Sequence, residues 1–149
     1  MLSIVRTTAL DPKFQRLNTR LDNELALRDG KDHPFYAQYN KTDHIRHVLV
    51  AMVDGKPAGC GAIKEYQPGI YEIKRMFVEP AHRGKGIATA VLDELERWAA
   101  ELSAGRCILE TGLKQPEAIA LYRKNGYHLI PNYGPYEGVD NSVCFEKML

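Results

Sequence analysis

Apolar residues along this chain recur first with one period and then with another, and each change of period marks an element boundary. Asp11-Pro12 is a helix start, a capping carboxylate followed by Pro at the first helical position. Phe14, Leu17, Leu21 and Leu25 then follow at helical spacing, and Gly30 is the expected stop. From Lys31 to Thr42 the pattern dissolves into His33, Pro34, Phe35, Tyr36 and Tyr39. This stretch is too aromatic for a solvated linker and too irregular for a long element, so a short second helix or a packed loop is expected. Branched aliphatic residues dominate Ile45 to Ala51, and a second strand-like run covers Ala58 to Lys64. Asp54-Gly55 between them tolerates the positive φ of a tight turn, which predicts a hairpin. A third strand, Ile70 to Val78, follows Gln67-Pro68-Gly69 and closes an antiparallel meander.

The period switches at Glu79-Pro80. After a basic, glycine-containing turn, Ile87, Val91, Leu92, Leu95, Trp98 and Ala99 predict a helix from near Gly84 to about Leu102. Gly105 separates it from Cys107-Ile108-Leu109, a short apolar run expected to be a buried strand that completes a βαβ unit. Gln115-Pro116-Glu117 opens another helix, with Ala118, Ile119, Leu121 and Tyr122, and Asn125-Gly126 ends it. Tyr127 to Pro131 and Ser142 to Lys147 read as two more strands around a turn-rich loop, Asn132 to Gly138. With no repeat, linker or low-complexity stretch, one mixed α/β (α+β) domain over residues 1–149 is expected.

Composition narrows the function classes. The chain has 149 residues, 44% of them hydrophobic, enough for one soluble core. Lys+Arg total 20 against 19 Asp+Glu, a net charge of +1, which removes the broad attraction that nonspecific nucleic-acid or anionic-membrane binding requires. Neither partner is expected, and any anion must be held locally. There is no run of 18 apolar residues and no apolar leader at the N-terminus, so a cytoplasmic location is expected. Cys60, Cys107 and Cys144 are odd in number and widely spaced, and His44 and His47 are three apart without a partnering acid or cysteine. Neither a disulfide framework nor a metal site is predicted.

A local anion site is legible at Arg83-Gly84-Lys85-Gly86-Ile87-Ala88, between a strand and a helix. The two glycines permit a tight turn whose N–H groups point outward at the positive end of the helix dipole, and Arg83 and Lys85 add charge. A nucleotide phosphate loop needs G-x-x-x-x-G-K followed by Ser or Thr, and that spacing is missing. A dinucleotide turn would follow the first strand of a parallel sheet and carry Gly where Thr89 stands.

Arg83, Gly86 and Ala88 occupy the fixed positions of the acyl-CoA signature of the GCN5-related N-acetyltransferase superfamily: Arg or Gln, two residues, Gly, one residue, then Gly or Ala. A second block resembles that family too, Leu121-Tyr122-Arg123-Lys124-Asn125-Gly126-Tyr127 at the end of a helix. The resemblance covers most of the chain. It implies a mostly antiparallel sheet of about seven strands, with the fourth and fifth splayed apart, flanked by about four helices. It also implies acetyl-CoA as co-substrate, with its pantetheine arm along Met76, Phe77 and Val78 and its pyrophosphate on Arg83, Gly84, Lys85, Gly86, Ile87 and Ala88. Gln115 stands where many members have Asn, so one pantetheine contact is altered.

The implied reaction is direct acetyl transfer in a ternary complex to a primary amine of a small molecule or peptide. Tyr122 matches the family tyrosine that protonates the departing thiolate. Glu72 or Glu110 assists the amine, unless a water chain does so. A noncatalytic acyl-CoA sensor regulating a partner would use the same turn, and the chain is expected as a monomer or homodimer. The first helices and the loop Pro131 to Gly138 lie where such proteins build the acceptor pocket. Their aromatics, Tyr36, Tyr39, Tyr133 and Tyr136, are expected mainly to pack, and His82 is expected to be exposed beside the turn.

Overall fold

A computed structural model describes residues 1–42 and 44–149. Its strands are β1 (Leu2–Thr7), β2 (His47–Val53), β3 (Lys56–Gln67), β4 (Ile70–Val78), β5 (Arg106–Gly112), β6 (His128–Ile130) and β7 (Ser142–Met148). The helices are α1 (Pro12–Asp29), α2 (His33–Ala37), α3 (Ile87–Glu101) and α4 (Pro116–Lys124). The strands form one seven-stranded sheet in the order β1-β2-β3-β4-β5-β7-β6. Among the described residues only β4 and β5 run parallel; the other pairs are antiparallel.

The element boundaries follow from local chemistry. Asp11 accepts a hydrogen bond from the Lys13 N–H, which caps α1, and Gly30 at φ 54 ends it. Lys31 to Thr42, expected as short helix or packed loop, contains a single 3₁₀ turn and the five-residue α2. The strand expected from Ile45 begins at His47, and α3 begins at Ile87 rather than near Gly84. Gly84 and Gly86 both have positive φ, so the backbone cannot enter the helix until Gly86 has turned it. The first strand, β1, has no counterpart among the expected elements. Its residues are mostly exposed at the sheet edge, so they lack the apolar alternation that would announce them.

Helix α1 covers one face of the sheet through Phe14, Leu17 and Leu21, which pack with Val48, Val50, Cys60, Ala62 and Phe77. Helices α3 and α4 cover the other face over Leu49, Ile63, Ile73 and Leu109. The bridging feature lies in β4. Cys60 faces Phe77 and Ala62 faces Lys74, so Arg75 and Met76 together oppose Gly61, which is a β-bulge. Arg75 takes φ 58, an unfavourable value for a residue with a Cβ. Its guanidinium donates to Asn18 Oδ1 at 2.6 Å and pairs with Asp22 on α1, which holds that conformation. The extra residue reverses the alternation of faces. Tyr71 and Ile73 point to the α3 side, and beyond the bulge Phe77 joins the α1 core.

Gly61, opposite the bulge, lies where Met76 and α3 leave no room for a side chain. A Cβ there would lie 2.7 Å from Met76 Sδ, 2.8 Å from Val91 Cγ1 and 2.9 Å from Leu95 Cδ1. Gly61→Ala is therefore expected to destabilise the protein by about 1–3 kcal/mol through overpacking, read as a lower urea midpoint with an unchanged slope.

Candidate active site

The parallel pair β4–β5 is short. Ile70, Tyr71 and Glu72 face Arg106, Cys107 and Ile108, and beyond Glu72 the strands part. From Leu109 onward β5 is paired on one side only, with β7, and β4 continues along β3. The expected splay is thus present, and it opens two adjoining cavities.

The larger is a cleft of about 540 Å³, within the size range of ligand sites. Met76, Phe77 and Val78 form one wall, and Arg83, Gly84, Gly86, Ile87 and Ala88 form the floor at the start of α3. Gln115, just before α4, and Tyr122 within it close the cleft. Of the expected cofactor residues, Lys85 alone does not line it and is exposed. No side chain caps α3, and a Cβ at Gly84 or Gly86 would meet nothing within 4 Å. The result is an open turn backed by unpaired helical N–H groups, suited to a phosphate. The Arg83 guanidinium is already engaged. It donates to the Val78 carbonyl at 2.8 Å and to both carboxylate oxygens of Glu24, at 2.9 and 3.1 Å. His82, expected at the surface, is half-buried and lines the cleft.

The smaller cavity, about 120 Å³, continues from the cleft past Met76, Gln115 and Tyr122, which line both. Tyr122 is 6% exposed and its ring packs edge-on against Tyr127, with centroids 5.8 Å apart. The Tyr127 hydroxyl donates to Glu96 at 2.9 Å, and Lys147 pairs with the same carboxylate at 2.8 Å. The Tyr122 hydroxyl makes no hydrogen bond among the described residues. Burial, reinforced by the charge of Glu110, pushes its pKa well above the ordinary phenol value, so the hydroxyl keeps its proton.

Both candidate bases line this smaller cavity, in different states. Glu72 Oε2 accepts a hydrogen bond of 2.6 Å from Tyr133, and its Oε1 lies 3.4 Å from Lys74 Nζ. Glu110 Oε2 is buried with no hydrogen-bond partner among the described residues, and burial raises the Glu110 carboxyl from 4.5 to about 7. Asp29, at the C-terminal end of α1, is a third carboxylate in the cavity wall, only 3% exposed. Sequence reasoning missed it. The available signal was an acid at the negative end of a helix dipole, where a cationic side chain is favoured.

The aromatics of the two variable segments mainly pack, as expected. Tyr36, Tyr39, Tyr133 and Tyr136 form an edge-to-face cluster with Phe35, and Tyr36 donates to or accepts from Ser142 at 2.8 Å. Tyr36 and Tyr136 also reach the cavity wall. Among the described residues no group of three or more His, Cys, Asp or Glu is arranged to hold a metal, and no helix is long and apolar enough to cross a membrane.

Comparison with known proteins extends these observations. The profile of the acetyltransferase (GNAT) family matches residues 10–127. An IAA acetyltransferase of Azospirillum brasilense is 41% identical over 102 residues, which are 68% of this chain and 67% of that protein. A crystal structure from Klebsiella pneumoniae, provisionally described as an acyl-CoA N-acyltransferase, is 31% identical with a TM-score of 0.84, covering 100% of this chain and 98% of that one. A GNAT family acetyltransferase from Elizabethkingia anophelis with acetyl-CoA bound shares the fold at 17% identity and a TM-score of 0.69, covering 99% and 98% of the two chains.

Proposed function

The chain belongs to the acetyltransferase (GNAT) family, and from that membership we propose that it works as one catalytic domain, transferring the acetyl group of acetyl-CoA directly to a primary amine in a ternary complex. The observation that carries this reading is the meeting of two cavities at Tyr122, one floored by the uncapped start of α3 and the other holding Glu110, whose Oε2 has no partner among the described residues. A sensor needs only the first cavity. Buried free thiols at Cys60, Cys107 and Cys144 suit a cytoplasmic setting.

In this mechanism the pyrophosphate of acetyl-CoA lies on the backbone of Gly84 to Ala88 and the pantetheine arm lies along Met76, Phe77 and Val78. The acceptor enters as an ammonium ion, because a primary amine near pKa ~10 is mostly protonated at neutral pH. Glu110, ionised above about 7, takes one ammonium proton on its free oxygen. The amine nitrogen then forms a bond to the thioester carbonyl carbon, and a backbone N–H near Phe77 or Val78 stabilises the developing oxyanion. As the C–S bond breaks, the sulfur takes the proton of Tyr122, and the tyrosine is reprotonated by the proton the nitrogen loses. The products are the N-acetylated amine and CoA thiol, with the proton held by Glu110 returned to solvent. Glu72, tied to Tyr133 and Lys74, supports the cavity wall.

A panel of small amines assayed for CoA release tests the reaction. Release that depends on an amine supports it, and acetyl-CoA binding without turnover on any amine favours the sensor. The phosphate turn has its own test. Gly86→Leu projects a side chain from a backbone at φ 81 into the open space above the turn. It is expected to abolish acetyl-CoA binding measured by calorimetry, with the circular dichroism spectrum retained. Unchanged binding would remove the turn from the site.

A further inference from the structure

The smaller cavity constrains the chemistry of the acceptor, an inference that rests on the acetyltransferase reading of that cavity. Its wall holds three carboxylates, Asp29, Glu72 and Glu110. Glu72 is matched by Lys74 and Tyr133. Arg75, the other cation in the wall, is committed to Asn18 and Asp22. Asp29 and Glu110 form no ion pair among the described residues, and the Asp29 carboxylate accepts no hydrogen bond there either. Lys114, beside Asp29, reaches only its backbone carbonyl at 3.4 Å and pairs with Asp32. His33 and Lys114 lie near enough to favour the charged form of Asp29, but neither pairs with its carboxylate and burial outweighs them, so a cationic ligand would be favoured there.

Two features beside Asp29 favour the same kind of ligand. The C-terminal end of α1 directs its last carbonyls, and with them the negative end of the helix dipole, to this region. Tyr36 and Tyr136 line the same cavity, and aromatic side chains are compatible with a cationic ligand. The volume sets the scale. About 120 Å³ is slightly less than the roughly 150 Å³ that accommodates benzene, so about five or six heavy atoms fit.

We propose that the acceptor is a compact dicationic amine, with its reacting amino group between Tyr122 and Glu110 and its second cationic group against Asp29. Acetylation consumes only the first amine: its nitrogen gains the acetyl group, one proton goes to Glu110 and one to the departing thiolate by way of Tyr122. The second ammonium stays protonated and holds the alkyl chain in place. Asp29 is thus a specificity residue and takes no part in proton transfer.

Three acceptors of similar length separate this proposal from its rivals: diaminobutane, butylamine and aminobutanoate, compared by kcat/KM for CoA release in the intact protein. Diaminobutane is expected to exceed butylamine by about ten- to hundredfold, the usual worth of a buried charge-assisted contact, with most of the difference in KM. Aminobutanoate, whose second group is an anion, is expected to be the poorest. Asp29→Asn is expected to bring the ratio of kcat/KM for diaminobutane over butylamine down to about one, mainly through a higher KM for diaminobutane. Equal use of diaminobutane and butylamine by the parent chain, or a preference for aminobutanoate, would overturn the dicationic acceptor and leave the acetyltransferase reading standing. Acetyl-CoA binding without turnover on any amine overturns both. The parent-chain comparison decides the matter even where Asp29→Asn fails to fold.

Discussion

Tyr122→Phe is expected to lower kcat by about 10²–10⁴-fold while leaving the affinity for acetyl-CoA unchanged, because it deletes a positioned acid and nothing else. The Phe ring keeps the edge-on packing against Tyr127 and the closure of the cleft between β4 and α4. The hydroxyl forms no hydrogen bond to the described residues, so its loss leaves no buried partner unsatisfied and stability should hold. Steady-state kcat and a calorimetric Kd for acetyl-CoA, measured on the same preparation, separate chemistry from binding. Turnover equal to that of the parent chain would take the acid role away from Tyr122. A parallel loss of affinity would mean that the ring, rather than the hydroxyl, matters.

Glu110→Gln should change both rate and stability, in opposite directions. As a base Glu110 must be ionised, so kcat/KM in the parent chain is expected to rise with pH and level off above about 7. The variant is expected to lose about 10²–10⁴-fold in rate together with that inflection. The groups around the carboxyl are Glu72 and Lys74 on β4, Asp29 on α1, Ser142 on β7 and Tyr122 on α4. Burial dominates, and the two acids raise the pKa further while Ser142 and Lys74 oppose them.

The stability effect has a definite sign. A carboxyl raised from 4.5 to about 7 on folding binds its proton more tightly in the native state. Its contribution is therefore fully present below the unfolded pKa and lost as pH rises through the folded one. At about 1.4 kcal/mol for each pH unit between the two values, the loss is on the order of 3 kcal/mol above pH ~7. Glu110→Gln removes that penalty, so urea unfolding should show a more stable variant at pH 8 and no such gain at pH 4 or below. A stability gain independent of pH would mean that Glu110 is not held in a desolvated, unpaired state. If rate falls and alkaline stability rises together, Glu110 is a carboxylate kept at the expense of the fold, as expected of a functional group.

The elements are largely legible in the residues because their signals are local. Asp11-Pro12 and Gly30 bound α1, Asp54-Gly55 turns the hairpin, and the strand expected from Ile70 to Val78 has those limits in the fold. The turn Arg83 to Ala88 and the block Leu121 to Tyr127 carry the family resemblance, since a glycine-dependent backbone shape needs particular residues at fixed spacing. Differences arise where the signal is weak or shared. Edge strand β1 has few buried positions, and α3 starts later than its pattern suggests because Gly84 and Gly86 suit a turn as well as a helix entrance.

The sequence does not contain the state of each side chain, because desolvation and pairing are made by residues far apart in the chain. Glu72 and Glu110 are both glutamates on neighbouring strands. Only folding brings Tyr133 onto Glu72 across 61 residues and leaves Glu110 Oε2 buried without a partner. Arg75 could have continued a regular strand, but Asn18 and Asp22 hold it at positive φ, and that bulge turns Phe77 into the α1 core. Asp29 ends a helix in sequence and becomes a cavity wall in space. The order of strands and helices, the anion turn and the tyrosine block were determined by the chain itself, through φ preferences and hydrophobic period. The charge left uncompensated in the acceptor cavity was decided by the tertiary structure, because burial gives a carboxylate its pKa and its demand for a cation.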